Sequence, residues 1–512
     1  MNSDKLAIAK TVEGRQEKFW RISDAIWSYA ELGLEEYRSA KLLADVLETA
    51  GFRVDRGVAG MPTAFVAAWS HGSGQPTIGF LGEFDALPML SQKAGVPKKE
   101  PLVAGAPGHG CSHNTMCTAQ ALTVITLKEI MEKKGLSGTL KLFGSPAEEI
   151  LTPRPFMVRA GLFQGVDVVL DCHGDSAFQV IYGMEGTAMY SFIVTFRGKT
   201  AHAGSFPWMG RSAVDAVELM HAGTERMREH LPTTQRTHWV TLEGGEAPNV
   251  VPDRASTWYY IRDLDENVEN NFKWALDCAK GAALMTQTTY EVKTIGAIHQ
   301  RFPNKHLAEL VFENIKAVGK PAYTKKEEAF ARAMQTEAGY SVVGMEYSLK
   351  LTSPESEPLR GGSSDVGDVT LIAPTVSMRF PVRVPGSPSH HWTVVAAANS
   401  SIAHKGLTAG AKVLALSAYD LLTNSEVLAK IQEEFGELKA QRPYKTLLPV
   451  DAQPPLGLNT ELMEKYRGAM EKYYIHPQPG IAGIKKVGCK IRISNPETNP
   501  KSNAQKSQTA KG

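Results

Sequence analysis

The chain has 512 residues, with 56 basic against 54 acidic side chains and a formal net charge of +2, so it can bury two cores but has no cationic surplus for nucleic acid. The amino terminus has neither a leader-like apolar segment nor a run able to span a bilayer, which argues against a membrane partner and makes the cytoplasm the expected compartment. Five cysteines at irregular spacing, Cys111, Cys117, Cys172, Cys278 and Cys489, are expected as reduced thiols.

In chain order, residues 5–50 carry helical periodicity that closes at Gly51. Strand-like runs at 63–69, 77–85, 138–144 and 166–173 alternate with helical stretches at 115–134 and 153–162. This pattern predicts a mostly parallel α/β sheet, whose ligands gather at the carboxyl ends of the strands. From 187 to 298 the pattern becomes βαββαβ, with helices near 211–230 and 266–285, and predicts an inserted ferredoxin-like unit. Helices near 304–318 and 326–337, an apolar strand in LIAPTVSMRF and a long helix over 393–423 resume the first domain. The predicted division is therefore 1–186 with 299–491, an insert at 187–298, and a polar, aperiodic, disordered tail at 492–512.

Four segments place possible metal ligands at strand ends or turns. GHGCSHNTMCT (108–118) brings Cys111 and His113 together ahead of a helix, and thiolate and imidazole are donors that borderline-soft divalent ions prefer. GSPAEEI contributes Glu148 and Glu149, DCHGD contributes His173, and SPSHHW offers His390 or His391. Each has an ordinary alternative: a glycine-rich turn, an acidic helix start that suits the dipole, or a satisfied loop histidine. Their joint occurrence favours one shared site.

The ordered series GEFDALP, PGHGCSHN, GSPAEE, HGD, GKTAHAG, GGEAPNVVPDRA, GGSSDVGDV and the histidine turn near 390 resembles the M20 family of metallo-aminoacylases and carboxypeptidases. Within the family it is similar to the amidohydrolase branch, and there to the p-aminobenzoyl-glutamate hydrolase type. The resemblance implies a zinc-peptidase-like α/β/α catalytic domain interrupted by a lid that makes a homodimer. It implies one or two divalent ions in each protomer, zinc or manganese, held by Cys111, His113, Glu149, His173 and His390, with Glu148 as general base. Asp85 would orient a ligating histidine from behind. His202 would enter the site of the partner protomer to stabilise the oxyanion. Asn249 and Arg262 would meet the substrate's carboxylate or carbonyl, and Gly361 and Gly362 would shape its cleft. The implied reaction is hydrolysis of an amide between an acyl or aryl-acyl group and an amino acid. The alternatives are a dipeptidase of the same family and a catalytically silent binding protein on the same fold.

Overall fold

The computed structural model describes residues 1–183, 186–353 and 362–477; Gly361 and the tail expected at 492–512 lie outside them. Two helices, α1 (Ser3–Tyr29) and α2 (Tyr37–Thr49), occupy the first periodic stretch, which is broken because Ala30 turns left-handed at φ 41°. Strands β1 (Arg53–Arg56), β2 (Phe65–His71) and β3 (Thr77–Glu83) lead to helix α3 (His113–Lys134). β4 (Gly138–Ser145), α4 (Pro153–Arg159), β5 (Val168–Asp175) and β6 (Gln179–Ile181) follow. Every residue of β3 is buried, as suits a strand covered on both faces. α3 is buried on nearly every side, packed between the sheet, α1 and a later helix. It crosses β3 so closely that a Cβ on Gly82 would lie 2.9 Å from the Cα of Cys117.

The inserted unit runs β7 (Ala188–Arg197), α5 (Ala213–Arg228), β8 (Arg236–Glu243), β9 (Arg254–Asp263), α6 (Asp265–Thr286) and β10 (Thr289–Ile298). Its four strands form a separate sheet in the order β10-β7-β9-β8, the expected βαββαβ arrangement. The chain then returns through α7 (Lys305–Val318), α8 (Lys325–Glu337), β11 (Lys350–Leu351), α9 (Val366–Thr370) and β12 (Thr375–Pro381). It continues with α10 (Trp392–Ala398), α11 (Ser401–Thr423), α12 (Ser425–Gln441) and α13 (Thr460–Met470). The long helix expected over 393–423 is therefore two, interrupted where Asn399 leaves helical geometry.

The main sheet has eight strands in the order β1-β2-β4-β3-β5-β12-β6-β11. Its centre, β4-β3-β5-β12, is parallel, whereas β1, β2 and β6 pair antiparallel with their inner neighbours. With β6-β11 also parallel, four of the seven pairings are parallel, in line with the expected mostly parallel sheet. One face packs against α1, α3 and α11, and the opposite face shares an apolar cluster with the insert. The parallel centre aligns the carboxyl ends of β3, β4, β5 and β12 along one edge. No helix among the described residues is long and apolar enough to cross a membrane.

Candidate metal centre

Each predicted ligand leaves this edge from a different element. Asp85 follows β3, Glu148 and Glu149 follow β4, His173 lies in β5, and His390 lies in the loop after β12. Cys111 and His113 sit at the start of α3, where Ser112 takes a left-handed φ of 67°. Three groups of donor atoms among the described residues lie close enough to hold an ion: Cys111 with His113 and His173, Cys111 with Glu149 and His390, and Glu83 with His113 and Glu148. The first two share the Cys111 thiol. His391 is directed elsewhere, with Nδ1 near Thr393 Oγ1 at 3.0 Å and the Tyr340 hydroxyl at 3.3 Å.

Hydrogen bonds behind the donors fix their orientation. Asp85 Oδ1 lies 2.8 Å from His113 Nδ1, which turns Nε2 inward, and Asp85 Oδ2 accepts the Glu149 N–H at 2.9 Å. His173 Nδ1 bonds the Gly174 carbonyl at 2.8 Å and leaves Nε2 3.3 Å from Cys111 Sγ. His390 Nε2 is 3.2 Å from Glu149 Oε2. Two buried atoms that face this space, His113 Nε2 and Glu149 Oε1, have no hydrogen-bond partner among the described residues. Unsatisfied donors of this kind on converging imidazole, thiol and carboxylate groups fit a divalent cation.

The electrostatics agree. Burial and the Glu149 charge push the Cys111 thiol up, but His113 and His390 more than offset them and bring it down to about 7. Burial also opposes ionisation of Glu149, yet His390 and His113 hold the carboxyl below its ordinary value. Hydrogen bonds to Cys111 and Glu149 lift His390 to about 10. Burial, then the Arg379 and Arg383 charges, keep His173 well below the usual histidine range and so neutral, the form that ligates. The two anionic donors thus draw positive charge onto neighbouring imidazoles at the positions where cations would compensate them.

Four of the donors, Cys111, Glu149, His173 and His390, line a cleft of about 630 Å³ together with Glu148, Tyr260 and four arginines, Arg262, Arg301, Arg379 and Arg383, while His113 lies buried behind them. Arg383 ties two ligand-bearing loops together, donating from Nη2 to the Cys111 carbonyl at 2.7 Å and from Nη1 to Ser389 Oγ at 2.6 Å. Beneath the cleft the fully buried Arg154 pairs with Asp365 and, at 2.8 Å, with Glu83. Glu83 of GEFDALP and Asp365 of GGSSDVGDV fall inside the quoted motifs without being singled out there, whereas Tyr260, Arg301 and Arg154 carry no signal. The pattern RFPVR sets Arg379 and Arg383 four residues apart as β12 ends.

The remaining thiol and imidazole of the 108–118 window do not join the donors. His109 is buried against the Ile26 carbonyl, and burial drives it down to about 3. Cys117 is buried beneath β3. Asn114 faces away, donating to Ser23 Oγ and the Ala398 carbonyl, both at 3.0 Å. In the insert, Arg262 reaches the cleft, whereas His202 and Asn249 do not line it among the described residues; both are exposed. Gly362 lines the cleft, but a Cβ built there meets none of the described atoms within 4 Å.

Residues 188–276 match the peptidase dimerisation domain. Over 474 residues the chain is 34% identical to a p-aminobenzoyl-glutamate hydrolase subunit of Escherichia coli (strain K12), covering 87% of this chain and 98% of that protein. The chain belongs to the M20 family. It is also 28% identical over 446 residues to the Xaa-Arg dipeptidase of Mus musculus, covering 84% of this chain and 92% of that one. A Bacillus subtilis crystal structure described as a dinuclear metal binding peptidase of the M20 family aligns with TM-score 0.53 and 16% identity, over 80% of this chain and 99% of its own. The M20 fold accounts for both sheets: an α/β catalytic domain interrupted by a dimerisation domain.

Proposed function

We propose that this M20 metallo-amidohydrolase cleaves the amide bond between an acyl or aryl-acyl group and an amino acid, with p-aminobenzoyl-glutamate and N-acyl amino acids as the substrate class. The observation that carries this reading is the convergence of the two donor groups that share Cys111 on one cleft, with the Glu148 carboxylate beside them and in neither of these two. When bound, one or two zinc or manganese ions acidify water and polarise the amide carbonyl; the thiolate donor suits zinc, and the family resemblance allows manganese. Glu148 accepts the proton of the attacking water and later delivers it to the leaving nitrogen. Asp85 holds His113 and Glu149 in place, and Arg262 holds the substrate's carboxylate or carbonyl; Asn249, outside the cleft of its own chain, joins it in this reading only from the insert of a partner protomer.

The functional unit in this reading is a cytoplasmic homodimer, in which residues 187–298 form the lid and 1–186 with 299–491 the catalytic domain. Activity measured on p-aminobenzoyl-glutamate, N-acyl amino acids and dipeptides, with added zinc or manganese, tests the proposal. Hydrolysis confined to dipeptides would move the assignment to a dipeptidase. No hydrolysis by metal-loaded protein would leave a binding protein on the same fold.

The ligand set has its own test. Cys111→Ser and His113→Ala are each expected to lower the metal retained after dialysis, because each removes a donor directly. Elemental analysis giving unchanged stoichiometry in both variants would reduce the 108–118 window to a structural turn.

A further inference from the structure

The turn that bears Glu148 and Glu149 has an unfavourable backbone. Ala147 sits at φ 57°, ψ 34° and Leu151 at φ 55°, ψ 47°, left-handed positions for residues that carry a Cβ. Two buried carboxylates grip the start of this turn. Asp85 takes the Glu149 N–H, and Glu36 Oε1 accepts the Ala147 N–H at 2.8 Å. Glu36 comes from the loop ahead of α2, is fully buried, and accepts the Thr63 hydroxyl at 2.9 Å through its other oxygen. It makes no side-chain cap for α2, and no cation pairs with it among the described residues. Burial and the Asp85 charge lift its carboxyl well above the ordinary range, and a polar group buried this deeply is costly unless it is hydrogen-bonded, which the Ala147 N–H and the Thr63 hydroxyl provide. The same loop presses on the turn elsewhere: a Cβ on Gly33 would lie 2.9 Å from the Cα of Ala147.

We propose that Glu36 is a positioning residue of the hydrolytic site, whose hydrogen bond to the Ala147 N–H fixes the left-handed turn that aims Glu148 into the cleft and Glu149 at His390 and His113. The proposal rests on the reading of Glu148 as base and Glu149 as ligand. Without the grip, the turn can relax toward right-handed backbone, which displaces both carboxylates.

Two substitutions separate the hydrogen bond from the carboxyl group itself. Glu36→Gln keeps an acceptor for Ala147 and can donate to Thr63; Glu36→Asp keeps the carboxyl group but withdraws the acceptor by one methylene. Glu36→Gln is expected to keep near-wild-type kcat, whereas Glu36→Asp should lose on the order of tenfold to a hundredfold in kcat with a smaller change in KM. The visible absorption of the cobalt(II)-substituted protein provides a readout independent of turnover: it should change in the aspartate variant, as Glu149 moves, and persist in the glutamine variant. An aspartate variant with wild-type kcat and spectrum would overturn the proposal. So would a damaged glutamine variant, and that result decides the matter even if the aspartate protein does not fold. Full activity in Glu148→Gln would instead remove the reading of the base, while the cobalt comparison, which reports on Glu149, would still stand.

Discussion

Glu148→Gln is expected to lower kcat by at least about a hundredfold while bound metal stays near the wild-type amount, the loss typical when a general base is removed. Glu148 is only 7% exposed, and burial together with the Glu83, Asp365 and Glu149 charges lifts its carboxyl well above the ordinary range despite the pull of His113. Such a group accepts a proton more avidly than a surface glutamate, and the isosteric amide cannot accept one near neutrality. A competing placement exists, because Glu83, His113 and Glu148 are also close enough to hold an ion. If Glu148 were a ligand there, the substitution would release metal together with activity. Metal analysis and turnover on the same preparation therefore discriminate between the roles. Wild-type turnover would rule out the base.

Local motifs carry most of the ligand set, since the donors cluster after strands whose apolar runs are plain in the sequence. His390 and His391 are equivalent as sequence, and only the fold separates them, by sending His391 toward Tyr340 and Thr393. What stays hidden is what joins distant segments. Arg154 meets Glu83 and Asp365, and Glu36 meets Ala147, through tertiary contacts that no spacing encodes. The insert is legible because alternation and helical periodicity switch in a fixed order over 187–298. The outer strands are less so: β6 and β11 are three and two residues long, too short for alternation to register. The break at Ala30 is also invisible, because a left-handed alanine has no compositional mark and its neighbours remain buried.

His202→Ala is expected to reduce kcat by roughly a hundredfold to a thousandfold, with a smaller effect on KM, as for loss of one oxyanion donor. His202 Nδ1 accepts the backbone N–H groups of Gly204 and Ser205, both at 3.1 Å, which leaves the ring's donor proton on Nε2. That proton is a donor on a ring that does not line the described cleft of its own chain, which suits delivery to a partner protomer. Mixing His202→Ala with Glu148→Gln protein under protomer exchange tests this arrangement. If His202 acts across the interface, one site of the heterodimer collects both defects and the other collects neither. Two inactive proteins should then regain up to about half of one wild-type dimer's activity per heterodimer, as twofold symmetry requires. If His202 serves its own protomer, every site keeps one defect and nothing returns. Verified exchange without recovered activity would end the trans mechanism and leave His202 a local residue of the insert.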